Sequence, residues 1–298
     1  MMKQIHKILL LTAVVLASGI FIYASTYTVK DKTATVENES RFPSKLDFAG
    51  ENTPLQLDDV GERFDRELLV NVNLHASTIL AIKRAHRAFP IIEPILKKNG
   101  IPDDFKYLAV IESGLVNAVS SAGARGIWQF MPETAKERGM EVNDNVDQRY
   151  DLAKSTQAAC SYLLNAKAKL GSWTLAAASY NGGMAGVNKQ IAIQKVSNYY
   201  DLLLTEETYR YVFRILALKE IMNNPVKYGY TIAKDEMYSG LPTRKIEVDS
   251  SISDLADFAK AQGINYKILK IHNPWLRETK LINAEGKKYQ IEIPLKGY

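Results

Sequence analysis

Cysteine is almost absent from this sequence, and so are the patterns that mark metal or cofactor sites. Among 298 residues there is one cysteine, Cys160, and there are four histidines. A single cysteine excludes an intramolecular disulfide, and we expect Cys160 to be a small buried residue in the middle of a helix. The sequence has no metal-ligand spacing, no P-loop and no dinucleotide fingerprint. We therefore predict a protein without a metal or a cofactor.

The signals of nucleic-acid binding are missing as well. The net charge of +5 and the pI of about 9.0 favour an anionic partner, such as nucleic acid, an anionic lipid surface or the acidic peptides of a bacterial wall. However, there is no basic cluster interleaved with aromatic residues, and no zinc-finger or helix-turn-helix pattern. We therefore predict no nucleic-acid partner.

No apolar run has the length of a typical membrane-spanning helix. The run at residues 8–23 follows Lys3 and Lys7, which gives it the positive start and short apolar core of a secretory signal. No cysteine stands directly after it, which excludes the usual bacterial lipoprotein anchor. We expect residues 1–25 to be a signal peptide or an uncleaved N-terminal anchor, and the protein to be exported to the periplasm or cell envelope.

The rest of the chain divides into a long helical region and a small C-terminal module. Residues 26–60 are polar without a sustained period, and they are expected to form a flexible tether. Helical spacing dominates residues 61–228, and residues 229–243 are a linker. Residues 244–298 have the order strand, helix, helix, strand. The predicted fold class is mainly α, with a helical domain followed by a small α+β domain.

One acidic residue has an unusual place in the helical region. Residues 102–113 are predicted to form a helix that Gly114 ends, and Glu112 shares a face of it with Phe105 and Leu108. An apolar surround and the negative end of the helix dipole both raise the pKa of such a carboxyl group. An acid that stays protonated near neutral pH can donate the proton that cleavage of a glycosidic bond requires. On periodicity alone, an ordinary surface residue at a frayed helix end is an equally good interpretation.

A glycine-punctuated loop with many side-chain donors follows this helix. In residues 120–129 the small residues allow the backbone to approach a ligand closely. Hydroxyl and amide groups, such as those of Ser120 and Gln129, can bind sugar hydroxyls or N-acetyl groups. Trp128 could stack on a sugar, but taken alone it is better interpreted as a core residue.

These segments together resemble a known family. Glu112-Ser113, the run from Ser120 to Ala135, and the A-x-x-Y-N-G-G element from Ala177 to Gly183 are similar to motifs of the soluble lytic transglycosylase family of the goose-lysozyme-like group. The resemblance extends over roughly residues 84–228. It implies a lysozyme-like, all-helical catalytic domain that acts on peptidoglycan.

The resemblance also implies roles for particular residues. Glu112 is implied to be catalytic, and Tyr180 to contact either the catalytic carboxylate or the sugar beside it. The E-T-x-x-Y-V element of the family matches at Tyr211, although Tyr209 is equally plausible from spacing. Without the family, a tyrosine at the end of an apolar stripe is more often a core residue. The predicted substrate-binding residues are Ser120, Gln129, Tyr180, Asn181 and Tyr211.

Two local structures are predicted outside the candidate site. Pro90 and Pro94 are expected to interrupt the helical pattern that precedes the catalytic segment. The run Asp147-x-Arg149-x-Asp151 is expected to order the loop ahead of the next long helix, a role that the resemblance implies. An ion pair between Arg149 and Asp151 is preferred there to a second catalytic acid.

The C-terminal order of elements resembles a LysM module, which is a sugar-binding unit. Asn273-Pro274 fits the usual Asn-containing turn of that module. Asp249-Ser250-Ser251 stands in place of the Gly-Asp pair that usually follows the first strand. We therefore predict a degenerate LysM-like module in residues 244–298.

The family resemblance implies a particular reaction. Glu112 protonates the oxygen between N-acetylmuramic acid and N-acetylglucosamine, and then acts as a base on the muramoyl 6-hydroxyl, which closes a 1,6-anhydro ring. A two-carboxylate hydrolase needs a second acid about 5 to 9.5 Å away, and no motif places Glu133 or Glu137 there. A hydrolytic muramidase of the same fold and a non-catalytic peptidoglycan-binding scaffold remain as alternatives. The expected partners are peptidoglycan strands and, through the N-terminal segment, the membrane.

Overall fold

The computed structural model describes residues 42–296, which belong to one compact unit. The predicted signal peptide or anchor at residues 1–25 lies outside the described residues, as does the predicted tether up to residue 41. Within the described part of the chain, no helix is both long enough and apolar enough to cross a membrane.

Helices form most of the region before residue 229, and the predicted mainly α fold class is confirmed. The helices of this region are α1 Asp58–Asn73, α2 His75–Lys98, α3 Lys106–Ser113, α4 Pro132–Glu137, α5 Leu152–Leu170, α6 Trp173–Gly182, α7 Met184–Gln194 and α8 Glu206–Asn223. The predicted mid-helix cysteine, Cys160, lies inside α5 and is fully buried. Burial raises the pKa of its thiol to about 11, so the thiolate form is disfavoured at neutral pH.

The short helix α3 packs inside the helical region because its sequence is apolar on most sides. Residues 107–111 are all buried. Helix α8 packs against it and is likewise apolar on most sides, because Tyr211, Phe213 and Leu216 lose nearly all contact with solvent. Burying side chains of this size stabilises a fold by about 1.5–3 kcal/mol each. The end of α3 is therefore held by α8.

Helix α2 runs without interruption through Pro90 and Pro94, so the predicted break is wrong. Each proline lacks the N–H that would donate to the carbonyl group four residues earlier. Both prolines are exposed, whereas Ala88, Ile92 and Leu96 are buried in the core. The burial of that apolar face outweighs the two missing hydrogen bonds.

The predicted tether is too long, because residues 46–58 fold onto the helical region. Strands β1 Asp47–Phe48 and β2 Glu51–Asn52 form a short antiparallel hairpin. The ring of Phe48 is fully buried and lies edge-on to Phe105, with 5.0 Å between the ring centroids. Isolated contacts, and not one continuous apolar face, anchor this segment. Its apolar residues therefore follow no regular period, and its sequence resembles that of a tether.

Glu51 makes the second anchor of this hairpin. Its carboxylate accepts hydrogen bonds from the backbone N–H groups of Trp173 and Thr174, at 2.6 and 2.8 Å. These N–H groups begin α6, where the helix dipole favours a negative charge. Glu51 therefore fixes the start of the helix that carries Tyr180.

The C-terminal module has the predicted order of strand, helix, helix and strand. Its elements are β3 Thr243–Val248, α9 Leu255–Ala261, α10 Tyr266–His272 and β4 Tyr289–Pro294. The two strands pair in antiparallel register, from Thr243 opposite Pro294 to Val248 opposite Tyr289. The two helices pack on this ribbon and complete a small core.

The module is docked on the loop that precedes α5. The N–H of Asp147 donates to the carbonyl oxygen of Trp275 at 2.9 Å, and Val146 forms an antiparallel bridge with Leu276. Val146 and Tyr150 are buried within the core of the module. This loop of the helical region therefore completes the C-terminal module.

The predicted linker, residues 229–243, lies against α2. The ring of Tyr230 is buried and stacks on His75, with 5.0 Å between the ring centroids. Further along, the N–H of Tyr238 donates to the carbonyl oxygen of Lys83 at 3.2 Å. The connection between the two regions is thus packed along one helix.

Candidate active site

Glu112 lies in the last turn of α3, where Gly114 ends the helix with a φ of 58°. Burial raises the pKa of the Glu112 carboxyl group, and the negative charge of Glu207 adds to this effect. The hydrogen bond from Tyr211 and the positive charge of Arg214 act in the opposite direction. The net direction is upward, so the site favours the protonated acid.

Tyr211 is the direct partner of this carboxyl group. Its phenol donates a hydrogen bond to Oε1 of Glu112. Burial, followed by the charge of Glu112, raises the pKa of Tyr211 well above its usual value, so its hydroxyl keeps the proton that it donates. Tyr209 lies elsewhere, because its ring packs on the guanidinium group of Arg63, 3.3 Å from the ring centroid. The structure thus places Tyr211, and not Tyr209, at the carboxylate.

The loop of residues 118–130 is closed by its own hydrogen bonds and is tied to the end of α3. The Oγ of Ser120 accepts from the N–H of Ala124 at 2.9 Å, so Ser120 shapes the loop. Ser113, the residue after the candidate acid, donates its hydroxyl to the carbonyl oxygen of Ile127 at 2.8 Å. The positions of the loop and of the acid are therefore coupled.

Two neighbouring residues of the loop have different roles. Gln129 adopts a left-handed φ of 49°, and its side-chain nitrogen donates to the carbonyl oxygens of Ala118 and Gly126 at 3.1 and 2.7 Å. Trp128 is fully buried, and its Nε1 donates to Oγ1 of Thr156 at 2.9 Å. Trp128 is therefore a core residue, while Gln129 both braces the loop and reaches the cavity described below.

Tyr180 lies in the last turn of α6, near the acid, without forming a hydrogen bond to it. Its hydroxyl donates to the carbonyl oxygen of Trp128 at 2.8 Å. Burial raises the pKa of Tyr180, and the charge of Glu112 is the next largest contribution, so the two groups are neighbours. The family resemblance implies that Tyr180 contacts either the carboxylate or the sugar beside it. The hydrogen bond to the carboxylate is made by Tyr211 and not by Tyr180.

A cavity of about 820 Å³ opens beside this cluster. It is lined in part by Gln129, Tyr180 and Asn181, and the side-chain oxygen of Asn181 is positioned by a 2.7 Å hydrogen bond from Thr208. Glu112 is not part of the lining, and Tyr180 belongs both to the cavity wall and to the surroundings of the carboxyl group. The volume lies within the range of about 300–1,000 Å³ that ligand pockets occupy.

A buried ion pair supports the loop, but not between the predicted residues. Arg149 pairs with Asp147 rather than Asp151, through Nε and Nη2 at 2.9 and 2.8 Å. Its Nη1 donates to the carbonyl oxygens of Gly123 and Phe130 at 3.2 and 3.1 Å. Asp151 is unavailable because its carboxylate caps the start of α5. Arg149 therefore orders the loop of residues 118–130, called the donor loop below. The sequence did not predict this role.

Sequence reasoning also missed Glu207, an exposed acid in the first turn of α8. It precedes Tyr211 by four residues, so both side chains project from one face of the helix. This spacing is visible in the sequence and could have placed a second acid near Glu112.

Within residues 42–296, no group of three or more His, Cys, Asp or Glu side chains is arranged to hold a metal ion.

Two families of known proteins match this chain. Residues 89–203 match the transglycosylase SLT domain, and residues 244–297 match the soluble lytic transglycosylase C-terminal LysM-like domain. Residues 89–203 therefore belong to the transglycosylase SLT domain family, and residues 244–297 belong to the LysM-like domain family, as the motifs of the sequence predicted. The first match contains Glu112, and Tyr211 lies beyond its end.

The chain is also similar to two named proteins. It is 31% identical over 207 residues to the membrane-bound lytic murein transglycosylase D of Escherichia coli strain K12, and equally to that of Escherichia coli O6:H1. The aligned part covers 67% of this chain and 45% of each relative. The chain thus spans about half the length of the curated relatives it matches.

Proposed function

We propose that this protein is a peptidoglycan lytic transglycosylase, a lyase that cleaves the β-1,4 bond between N-acetylmuramic acid and N-acetylglucosamine without water. The observation that carries the proposal is the Glu112 carboxyl group, whose pKa is raised by burial while Tyr211 holds one of its oxygens. The match to the SLT domain and the similarity to lytic murein transglycosylase D support the substrate class.

In the first step Glu112 acts as an acid. Because Tyr211 donates to Oε1, the proton is carried on Oε2. This proton passes to the bridging oxygen as the bond from that oxygen to C1 of the muramoyl residue breaks, and the N-acetyl group of the same residue assists at C1. A positioned acid or base contributes about 10²- to 10⁴-fold to such a reaction.

In the second step Glu112, now a carboxylate, acts as a base. It accepts the proton of the muramoyl 6-hydroxyl, whose oxygen closes onto C1 and forms a 1,6-anhydro ring. The acid is regenerated and no water is consumed. Tyr211 and Arg214 stabilise the carboxylate between the two steps, since both lower the pKa of Glu112.

The remaining predicted residues bind or position the sugar. Gln129, Tyr180 and Asn181 line the cavity and hold the sugar beside the broken bond. Ser120 acts through the shape of the loop, since its hydroxyl closes the turn at Ala124. We place the reaction in the cell envelope, where this substrate is found.

The test is the clearing of a suspension of purified peptidoglycan. Glu112→Gln, which keeps the shape of the side chain, should lower the clearing rate at least about 10²-fold while leaving the circular dichroism spectrum unchanged. Glu133→Gln, at an exposed position on α4, is the matched control and should clear at the normal rate. An active Glu112→Gln variant would refute the assignment. A wild-type protein that binds the wall without clearing it would favour the non-catalytic scaffold.

Hydrolysis is the second candidate, because the charge of Glu207 acts on Glu112. Paired carboxyl groups can activate water or form a covalent intermediate. Mass spectrometry separates the two reactions, since anhydro ends mark a transglycosylase and reducing ends mark a hydrolase. Reducing ends, together with the loss of activity in Glu207→Gln, would favour hydrolysis.

A further inference from the structure

Two cationic side chains, Arg138 and Lys169, line the same cavity as Gln129, Tyr180 and Asn181. Neither takes part in an ion pair within residues 42–296. The Nε of Arg138 is buried and has no hydrogen-bond partner among the described residues. The cavity wall thus presents positive charge that the fold itself does not neutralise.

An unpartnered buried donor is costly, and a ligand that satisfies it recovers that cost. Leaving such a group without a partner costs about 1–3 kcal/mol, and native proteins do so rarely. Phe130, Leu170 and Met184 make part of the wall apolar, which strengthens any charge interaction inside. Glu137 also lines the cavity but forms an ion pair with neither cation, so the two cations outnumber the single carboxylate in the lining.

The position of Arg138 connects this charge to the candidate site. Its guanidinium group lies 5.4 Å from the ring centroid of Tyr162. The ring of Tyr162 in turn lies edge-on to Tyr180, at 5.2 Å between centroids. One aromatic ring therefore separates Arg138 from the residue that neighbours the catalytic carboxyl group.

We propose that Arg138 and Lys169 form an anion subsite that binds a carboxylate of the acidic peptide attached to the glycan strand. This inference rests on the proposed function, since it concerns the substrate of the same cavity. In a peptide-bearing strand the sugars are neutral, because the lactyl carboxyl group of each muramoyl residue is bonded to the peptide as an amide, whereas the peptide stems carry free carboxylates. A guanidinium group matches a carboxylate with two parallel hydrogen bonds. The subsite makes the protein prefer strands that carry peptides over bare glycan.

The test compares two substrates and two double variants. Soluble glycan strands with peptides are one substrate, and the other is the same strands after an amidase has removed the peptides and the freed lactyl carboxylates have been converted to neutral amides. Both are cleaved by wild type and by Arg138→Gln/Lys169→Gln. Loss of charged hydrogen bonds should lower kcat/KM about tenfold or more on peptide-bearing strands, mainly through KM. On stripped strands the variant should match wild type. Lys97→Gln/Lys98→Gln removes the same charge at the exposed end of α2 and should match wild type on both substrates.

A binding measurement decides the subsite independently of cleavage. Calorimetry with the Glu112→Gln protein and peptide-bearing strands should show binding that Arg138→Gln/Lys169→Gln weakens and that free stem peptide displaces. The proposal would be overturned if the double variant lost kcat/KM equally on both substrates, or on neither. It would also be overturned if inorganic phosphate displaced the bound strands as effectively as the free stem peptide does. If the wild type cleaves neither substrate, the proposed function fails, and calorimetry still decides the subsite.

Discussion

The hydroxyl group of Tyr211 donates a hydrogen bond to Oε1 of Glu112, although 99 positions separate the two residues in the chain. The contact exists because α8 packs on the end of α3. Burial raises the pKa of Glu112, and this hydrogen bond lowers it. The balance between the two effects determines over which pH range Glu112 can act as an acid.

Replacing Tyr211 by Phe should move the alkaline limb of the pH–rate profile to higher pH. The lost hydrogen bond stabilises the carboxylate, so its removal raises the pKa of Glu112 further and keeps the acid protonated for longer. The maximal rate should fall about tenfold or more, because a hydrogen bond to a charged group contributes about 1.5–3 kcal/mol. The measurement is kcat/KM on soluble glycan strands across pH. Tyr209→Phe, away from the carboxylate, should show neither change, and an unshifted limb in Tyr211→Phe would argue against this contact.

Replacing Glu112 by Gln should raise the thermal stability at neutral pH. The pKa of Glu112 is higher in the folded protein than its ordinary value of 4.5. Ionisation is therefore costly only in the folded state, and this cost is present above pH 4.5 and absent below it. The melting temperature of the variant should exceed that of wild type at pH 7, and the difference should vanish at pH 4 or below. Equal melting temperatures at pH 7 would contradict the raised pKa; Glu133→Gln serves as the surface control.

Gly126→Ala should disrupt the donor loop far more than Gly123→Ala. Both glycines have a left-handed φ, of 84° and 89°, so both substitutions carry a similar backbone strain. A Cβ on Gly126 would lie 1.9 Å from the carbonyl oxygen of Arg149, whereas a Cβ on Gly123 meets nothing within 4 Å. We expect a loss of about 1 kcal/mol for Gly123→Ala and several-fold more for Gly126→Ala in urea unfolding. Equal losses would show that the close approach to Arg149 does not constrain the loop.

Asn145→Ala should weaken the docking of the LysM-like module. The side-chain nitrogen of Asn145 donates to the carbonyl oxygen of Lys280 at 3.0 Å, and its oxygen accepts from the N–H of Ile282 at 2.9 Å. Losing both bonds should lower the free energy of unfolding by about 1–2 kcal/mol. Gln290→Ala removes an amide from the outer face of the same module and should change stability by less than about 0.5 kcal/mol. If both variants lost the same free energy of unfolding, these two hydrogen bonds across the interface would contribute nothing to stability.

Local features of the fold could be predicted from the sequence, whereas its long-range pairings could not. The helix end at Gly114 and the four elements of the LysM-like module follow from spacing and turn residues that lie close together in the chain. The partner of Arg149 and the packing of the first hairpin depend on which segments meet in space. The helix through Pro90 shows the same limit, since burial of its opposite face overrides a strong local preference.

In the candidate site, too, some residues could be predicted from local sequence and others depended on long-range packing. The apolar face around Glu112 marked it as unusual, and the motifs that resemble the family indicated its neighbours. Spacing alone could not decide between Tyr209 and Tyr211, because the answer depends on how α8 is rotated against α3. The loop-ordering role of Arg149 was equally hidden, because its two carbonyl partners are fixed only by the folded loop.

The most direct test of the central claim is digestion of purified peptidoglycan by the wild-type protein in water enriched in heavy oxygen, followed by mass spectrometry of the new glycan ends. If Glu112 acts first as an acid and then as a base on the 6-hydroxyl, the new ends should be anhydro ends that contain no heavy oxygen. Reducing ends that carry the label would contradict it.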